Sequence, residues 1–198
     1  HARYRAIAAL LLLAPETPML FMGQEFGASN PFLFFADHHS DLAGKVYRGR
    51  KNFLAEFPEY VTPEAQAAVP DPADEATFQR SCLDLSERSR NAPIYRLHKD
   101  LLRLRRDDAI LARQDRRSLD GATLSPQALA LRYMGPADDD RLLVVNLGPD
   151  LNFIPAPEPL LAPVRDRSWT LQWSSEHPLY GGPGIVNPSI TGRTRPMP

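Results

Sequence analysis

The sequence predicts an α+β chain in two stretches, with helices around one buried strand over residues 1–112 and a small antiparallel β domain over residues 113–198. Three observations carry this. Apolar residues recur at helical spacing through the first stretch, the spacing falls to two beyond about Leu111, and prolines cluster at Pro58–Pro72 and again from Pro149 onward. The 20 prolines in 198 residues are about twice the usual ~5%, so they punctuate the chain.

From Ala2 to Leu13 strong helix formers dominate, and from Ala6 onward apolar residues lie on nearly every side, which predicts a helix covered on most faces. Pro15 and Pro18 end it. The short unalternating run Met19-Leu20-Phe21-Met22, closed by Gly23, predicts a strand buried on both faces. Past a loop holding Phe26, Phe32, Phe34 and Phe35, Ser40 is placed to cap a helix. Leu42, Val46, Gly49, Phe53 and Phe57 form its apolar face, opposite Lys45, Arg48, Arg50 and Lys51, a basic face read as solvated. Pro58–Pro72 reads as a surface connection. A further helix begins near Asn91, with Pro93 in its first turn, a stripe of Ile94, Leu97, Leu101 and Leu104, and Arg103, Arg105 and Arg106 in its last turns to complement its own dipole.

The β stretch rests on alternation. Leu129, Leu131 and Tyr133 alternate with Ala130 and Arg132, Leu142–Val145 is a buried run, and Trp169, Leu171 and Trp173 alternate with Thr170 and Gln172. Gly135-Pro136 and Gly148-Pro149-Asp150 supply turns between them.

Composition excludes several classes. A net charge of −1 leaves no basic footprint for nucleic acid. The apolar stretch Ile7–Pro15 falls far short of the roughly 20 residues needed to span a membrane. The single Cys82 forms no internal disulfide, and no Cys/His grouping has zinc spacing, which suits a cytoplasmic protein with no metal site. The chain opens at His1 without a Met and enters a helix at once, so a preceding segment is expected.

The segment Thr17-Pro18-Met19-Leu20-Phe21-Met22-Gly23-Gln24-Glu25-Phe26-Gly27 resembles the eighth barrel strand and following loop of the α-amylase superfamily of glycoside hydrolases. The continuation is Asn30-Pro31-Phe32-Leu33-Phe34-Phe35-Ala36-Asp37-His38, Arg48-Gly49-Arg50, Asp71-Pro72, Thr77-Phe78 and Ser81-Cys82-Leu83-Asp84. In that order it looks like the members that cut trehalose from the end of a maltooligosyl chain. The resemblance covers about residues 1–112, and the β stretch by position and character.

It implies that residues 1–112 are the last strand and helices of a (β/α)8 barrel and residues 113–198 a β-sandwich domain. It further implies a cofactor-independent parent enzyme acting on maltooligosaccharide or maltooligosyltrehalose. The family's Asp nucleophile, Glu acid and second Asp lie on earlier strands, so the resemblance implies no catalytic residue in this chain, which alone should be inactive. Substrate contacts would come from the loop at the barrel mouth, at Glu25, Phe26, Asp37 and His38. Glu25 and Asp37 are the acids near that loop, but a retaining pair needs its carboxyls about 5 Å apart in a walled site, and a loop-ordering bond is the plainer role for Glu25. His38 and His39, merely adjacent, read as structural or solvent-facing, and His98 as a satisfied helix histidine. The Phe cluster reads as packing before sugar stacking, and Trp169 and Trp173 as β-domain core before a glucan platform. Two alternatives remain: the end of another superfamily enzyme, such as a glucan branching enzyme, or a free-standing glucan-binding or interaction module. A barrel remnant would expose apolar flanks, so self-association, or rearrangement, of the region before residue 60 is expected.

Overall fold

A computed structural model describes residues 2–151, 158–164 and 167–184. These divide into two units, one made of the residues up to Gly27 together with those from Arg88 onward, the other of Ala28–Glu87.

In the first unit, α1 (Ala2–Leu13) buries Arg5, Ala8, Ala9, Leu12 and Leu13, the i, i+3, i+4, i+7, i+8 stripe of one face, while Ile7 is exposed. That stripe packs on α6 (Ala92–Asp107), whose Leu97 and Leu101 are fully buried. Replacing either leucine by alanine would cost about 2–5 kcal/mol, the usual range for a buried leucine. A short α5 (Glu87–Arg90) precedes α6. The α6 stripe emerges as its sequence predicts, and Arg105 extends it by four residues beyond Leu101.

Arg105 does not serve its own helix end. Its guanidinium donates to the carbonyls of Leu12 (2.9 Å), Ala14 and Glu16 (2.7 Å) at the far end of α1. The reason is local chemistry. A helix leaves its last carbonyls without partners, and Pro15 has no N–H to return to them. Tyr133 supplies one more donor, its hydroxyl reaching the Leu13 carbonyl at 3.0 Å.

The β stretch forms one antiparallel sheet among the described residues, in the order β1 (Leu119–Ser125), β2 (Ala128–Tyr133), β3 (Arg141–Asn146). The register pairs Gly121 with Leu131 and Leu131 with Leu143. Leu119, Leu131, Tyr133 and Leu143 pack toward the α1–α6 core. On the alternate positions Ala128 and Ala130 are buried, and Arg132 donates to Asp140 and to the carbonyls of Leu160 and Ala162. Both faces of the central strand are therefore covered. The expected buried run Leu142–Val145 is uneven: Val145 is buried but Val144, pointing to the opposite face of the sheet, is exposed.

Two expected strands do not form. Met19–Met22 is irregular, and Met19, Phe21 and Met22 are 86%, 54% and 53% exposed. No strand lies beside it among the described residues, and an extended run without a ladder partner gains no sheet. Trp169–Trp173 is also irregular. The indole of Trp169 donates to Leu161 O at 2.8 Å beneath Arg132, and that of Trp173 donates to the Tyr180 hydroxyl at 3.2 Å. Side-chain packing, not strand pairing, satisfies them. The β1 strand, with its mixed Leu-Asp-Gly-Ala-Thr-Leu-Ser sequence, had no clean alternation to announce it.

The second unit holds α2 (Ser40–Leu54), α3 (Pro63–Ala67) and α4 (Glu75–Ser81). Ser40 is the first residue of α2 and not its cap. His39 occupies the cap position without a side-chain hydrogen bond. Within Pro58–Pro72, a 3-10 turn at Pro58–Tyr60 and α3 replace the featureless connection, Thr62 capping α3 through Ala65 N at 3.2 Å. The amphipathic α2 has the predicted apolar face but buries none of it: Leu42, Phe53 and Phe57 are 48%, 50% and 44% exposed.

Candidate functional site

In the first unit the segment after Phe21 turns sharply. Gly23 (φ 84°) and Gly27 (φ 62°) both lie in the left-handed region that glycine alone tolerates well, and between them Gln24–Phe26 makes one 3-10 turn. This turn sits against α6. The Tyr4 hydroxyl donates to Gln24 O at 2.8 Å, and Asn91 Nδ2 donates to Gly27 O at 3.2 Å. His98, almost fully buried, places Nδ1 2.9 Å from Ile94 O, which requires the proton on Nδ1, and its Nε2 lies 3.4 Å from the Tyr4 hydroxyl. Burial, reinforced by the Glu25 charge, pushes the Tyr4 phenol up.

Glu25 is turned outward and pairs with Arg88 at 3.7 Å, its side chain 29% exposed. The loop-ordering role expected of it is the one its geometry fits. Arg88 in turn lies over the rings of Phe26 (5.4 Å) and Tyr95 (5.6 Å). Phe26, expected as a sugar contact, is fully buried in this chain, between the two glycine bends and against α6.

Asp37 and His38 belong to the second unit, at the end of the segment leading into α2, and both are exposed. Neither side chain makes a hydrogen bond or ion pair among the described residues. The segment that carries them is well tied. Glu87 accepts from Ser29 N and Oγ (2.8 and 2.6 Å), Ser81 Oγ accepts from Leu33 N at 3.1 Å, and Pro72 O accepts from Ala36 N at 2.9 Å. Phe35 packs edge-on against Phe78 (centroids 5.1 Å) and Phe32 (5.9 Å), while Phe32 and Phe34 remain largely exposed. Arg50 lies over Phe34 at 5.2 Å. Among the described residues no group of three or more His, Cys, Asp or Glu is placed to hold a metal ion, and no helix is long and apolar enough to cross a membrane.

Sequence reasoning missed Tyr4, Arg5 and Arg88 as organising residues. A signal existed for Arg5: a lone charge on the buried stripe of an apolar helix calls for internal partners. It finds Ser175 O (2.8 Å), Gly181 O (3.3 Å) and the Glu176 carboxylate (2.8 Å). Arg88 carries no comparable mark in the sequence.

Comparison with known proteins defines first a class. The chain is similar to the 1.4 Å crystal structure of a protein from Salmonella typhimurium assigned to the α-amylases, with a TM-score of 0.60 and 33% identity over 76% of this chain and 26% of that one. Residues 116–192 match a family described as "Domain of unknown function (DUF3459)". More particularly, the chain is similar to malto-oligosyltrehalose trehalohydrolases. It is 41% identical to that of Deinococcus radiodurans over 153 residues, covering 74% of this chain and 24% of the relative. It is 48% identical to that of Arthrobacter ramosus over 105 residues, covering 52% of this chain and 17% of the relative. The chain thus spans about a quarter or less of the length of these relatives, and the resemblance stated from its motifs agrees with them.

Proposed function

We propose that this chain is the carboxyl-terminal part of a malto-oligosyltrehalose trehalohydrolase, a cytoplasmic glycoside hydrolase. The whole enzyme would hydrolyse the α-1,4-glucosidic bond next to the terminal trehalose unit of maltooligosyltrehalose. The observation that carries this reading is the 41% identity to the Deinococcus radiodurans relative across 74% of this chain but only 24% of the relative.

Under this reading residues 1–112 close a (β/α)8 barrel, with Thr17–Met22 as its last strand, and residues 113–198 buttress it as a β domain. The exposed, ladderless Met19–Met22 segment supports a strand whose neighbours are supplied by the rest of the parent. Glu25, Asp37 and His38 would meet sugar hydroxyls at the barrel mouth. Phe26 would act from below, as the buried base on which Arg88 and Glu25 are set. No group in this chain serves as nucleophile or acid, since the two carboxyls of a retaining hydrolase would come from the remainder. Engagement of both indoles in internal hydrogen bonds supports a packing role for Trp169 and Trp173 over a glucan-gripping one.

The test is an assay of trehalose release from maltooligosyltrehalose. The chain alone is expected to release none, and turnover by it alone would refute the division of labour. Mixed with a Deinococcus radiodurans enzyme truncated before the matching region, it is expected to restore release. If the truncated enzyme regains activity with its own missing piece but not with this chain, the assignment fails.

A further inference from the structure

Arg88 stands exposed beside the Gln24–Phe26 turn, and its guanidinium is held in place without being satisfied. Its central carbon lies 5.4 Å from the centre of the Phe26 ring and 5.6 Å from that of Tyr95. Phe26 is fully buried, so one side of this contact is rigid, and a guanidinium stacked on aromatic faces keeps its planar fork of donors in one orientation. None of those donors makes a hydrogen bond to the protein among the described residues. The Glu25 carboxylate, at 3.7 Å, completes an ion pair but lies beyond hydrogen-bond reach. The Arg88 and Glu25 side chains are 43% and 29% exposed, so both open on solvent.

The pair therefore offers a charged donor and a charged acceptor side by side. An anion would answer Arg88 and be repelled by Glu25, and a cation the reverse. Neighbouring hydroxyls of a sugar ring answer both, because every hydroxyl has one hydrogen to donate and lone pairs that accept. One hydroxyl donates to Glu25 while the next accepts from Arg88. The place fits as well. The turn follows directly on Met22 and Gly23, where the last barrel strand ends under the trehalohydrolase reading, and barrel enzymes bind their substrates in the loops at that end of the strands. Stacking on Phe26 and Tyr95 lowers the ordering cost that a long side chain otherwise brings to binding.

We infer that Arg88 is a substrate-binding residue of the barrel mouth, donating to the hydroxyls of one glucose unit of the glucan while Glu25 accepts from the same unit. The inference rests on the trehalohydrolase reading and adds to it a cationic donor, since Glu25 and Asp37, as carboxylates, only accept. Arg88 acts on binding of the chain of sugars and takes no part in breaking the bond.

Steady-state trehalose release by this chain in complex with the truncated Deinococcus radiodurans enzyme tests it. Arg88→Met keeps most of the stem against Phe26 and removes every donor. It should raise KM for maltooligosyltrehalose about tenfold and leave kcat within about twofold, the pattern of a lost binding contact. Arg88→Lys, with a charged donor on a similar stem but no planar fork, should recover part of this and leave KM about threefold above wild type. Lys99→Met removes the other cation over the Tyr95 ring, at 5.6 Å, and should change neither constant, which separates the guanidinium's donors from positive charge in general. Circular dichroism checks that each variant is folded. An Arg88→Met complex with KM within about twofold of wild type, or one that loses kcat at unchanged KM and so marks a structural role, would overturn the inference and leave the trehalohydrolase reading standing. If the wild-type chain fails to restore release where the relative's own missing piece succeeds, the reading fails and the inference with it.

Discussion

Arg105→Met gives the sharpest test of how the end of α1 is held. Arg105 is 7% exposed and donates to three carbonyls, those of Leu12, Ala14 and Glu16. Its charge faces the negative end of the α1 dipole. Methionine keeps most of the apolar stem and removes all three donors. Glu16 is exposed, so water can replace the lost bond there at little cost. Leu12 is fully buried and Ala14 half-buried, and no proline N–H can take over. A buried acceptor left without its charged donor costs about 1–3 kcal/mol. With two such acceptors the expected loss is about 3–5 kcal/mol, a large share of the ~5–15 kcal/mol stability of a domain. Both tryptophans, Trp169 and Trp173, lie in the first unit, so urea unfolding followed by tryptophan fluorescence reports on the unit that holds Arg105. The control is Arg103→Met, with a side chain 64% exposed, expected to change stability by no more than about 0.5 kcal/mol. If Arg105→Met cost less than about 1 kcal/mol at an unchanged denaturant slope, the three carbonyl bonds would not be what secures α1.

Two further outcomes test neighbouring features. Burial pushes the Tyr133 phenol up to about 12 from an ordinary 10.0. A folded-state pKa above the unfolded one means stability that is full below pH 10 and lost as pH rises toward 12. Tyr133→Phe should remove that part of the alkaline loss while costing about 0.5–1.5 kcal/mol at neutral pH for the bond to Leu13 O, and an alkaline melt of unchanged shape would count against it. Arg5→Met should cost about 2–4 kcal/mol, since Arg5 is buried and its loss strands Ser175 O, Gly181 O and Glu176 together. Glu176→Gln, at a side chain 36% exposed whose amide oxygen still accepts, should cost about 1 kcal/mol or less. Equal losses in urea melts of the two variants would show that the carboxylate, not the carbonyl pair, holds Arg5.

Parts of the candidate site were legible in the sequence because they depend on neighbours along the chain. Gly23 and Gly27 mark the bends around Gln24–Phe26, and a lone Glu25 in such a turn reads as a loop-ordering group, the role its pairing with Arg88 gives it. That Phe26 faces inward was not legible, since an aromatic residue in a loop looks the same whether it awaits a sugar or a helix. Arg88, 63 residues further on, enters only when the fold brings α6 and its approach beside the turn.

The sequence by itself determined α1, α2, α6 and the strands β2 and β3. Helical spacing and period-two alternation are set by backbone geometry over a few residues, and Pro15 and Pro93 set limits that no distant contact can remove. Only the tertiary structure decided the rest. Strand formation needs a partner ladder, so Met19–Met22 and Trp169–Trp173, strand-like in composition, stayed irregular, while the weakly patterned β1 became a strand beside β2. The same distinction applies to charge. Arg105 reads from the sequence as a cation suited to the end of its own helix, yet it binds the end of α1, because the carbonyls there lack donors and only packing brings the two helices together.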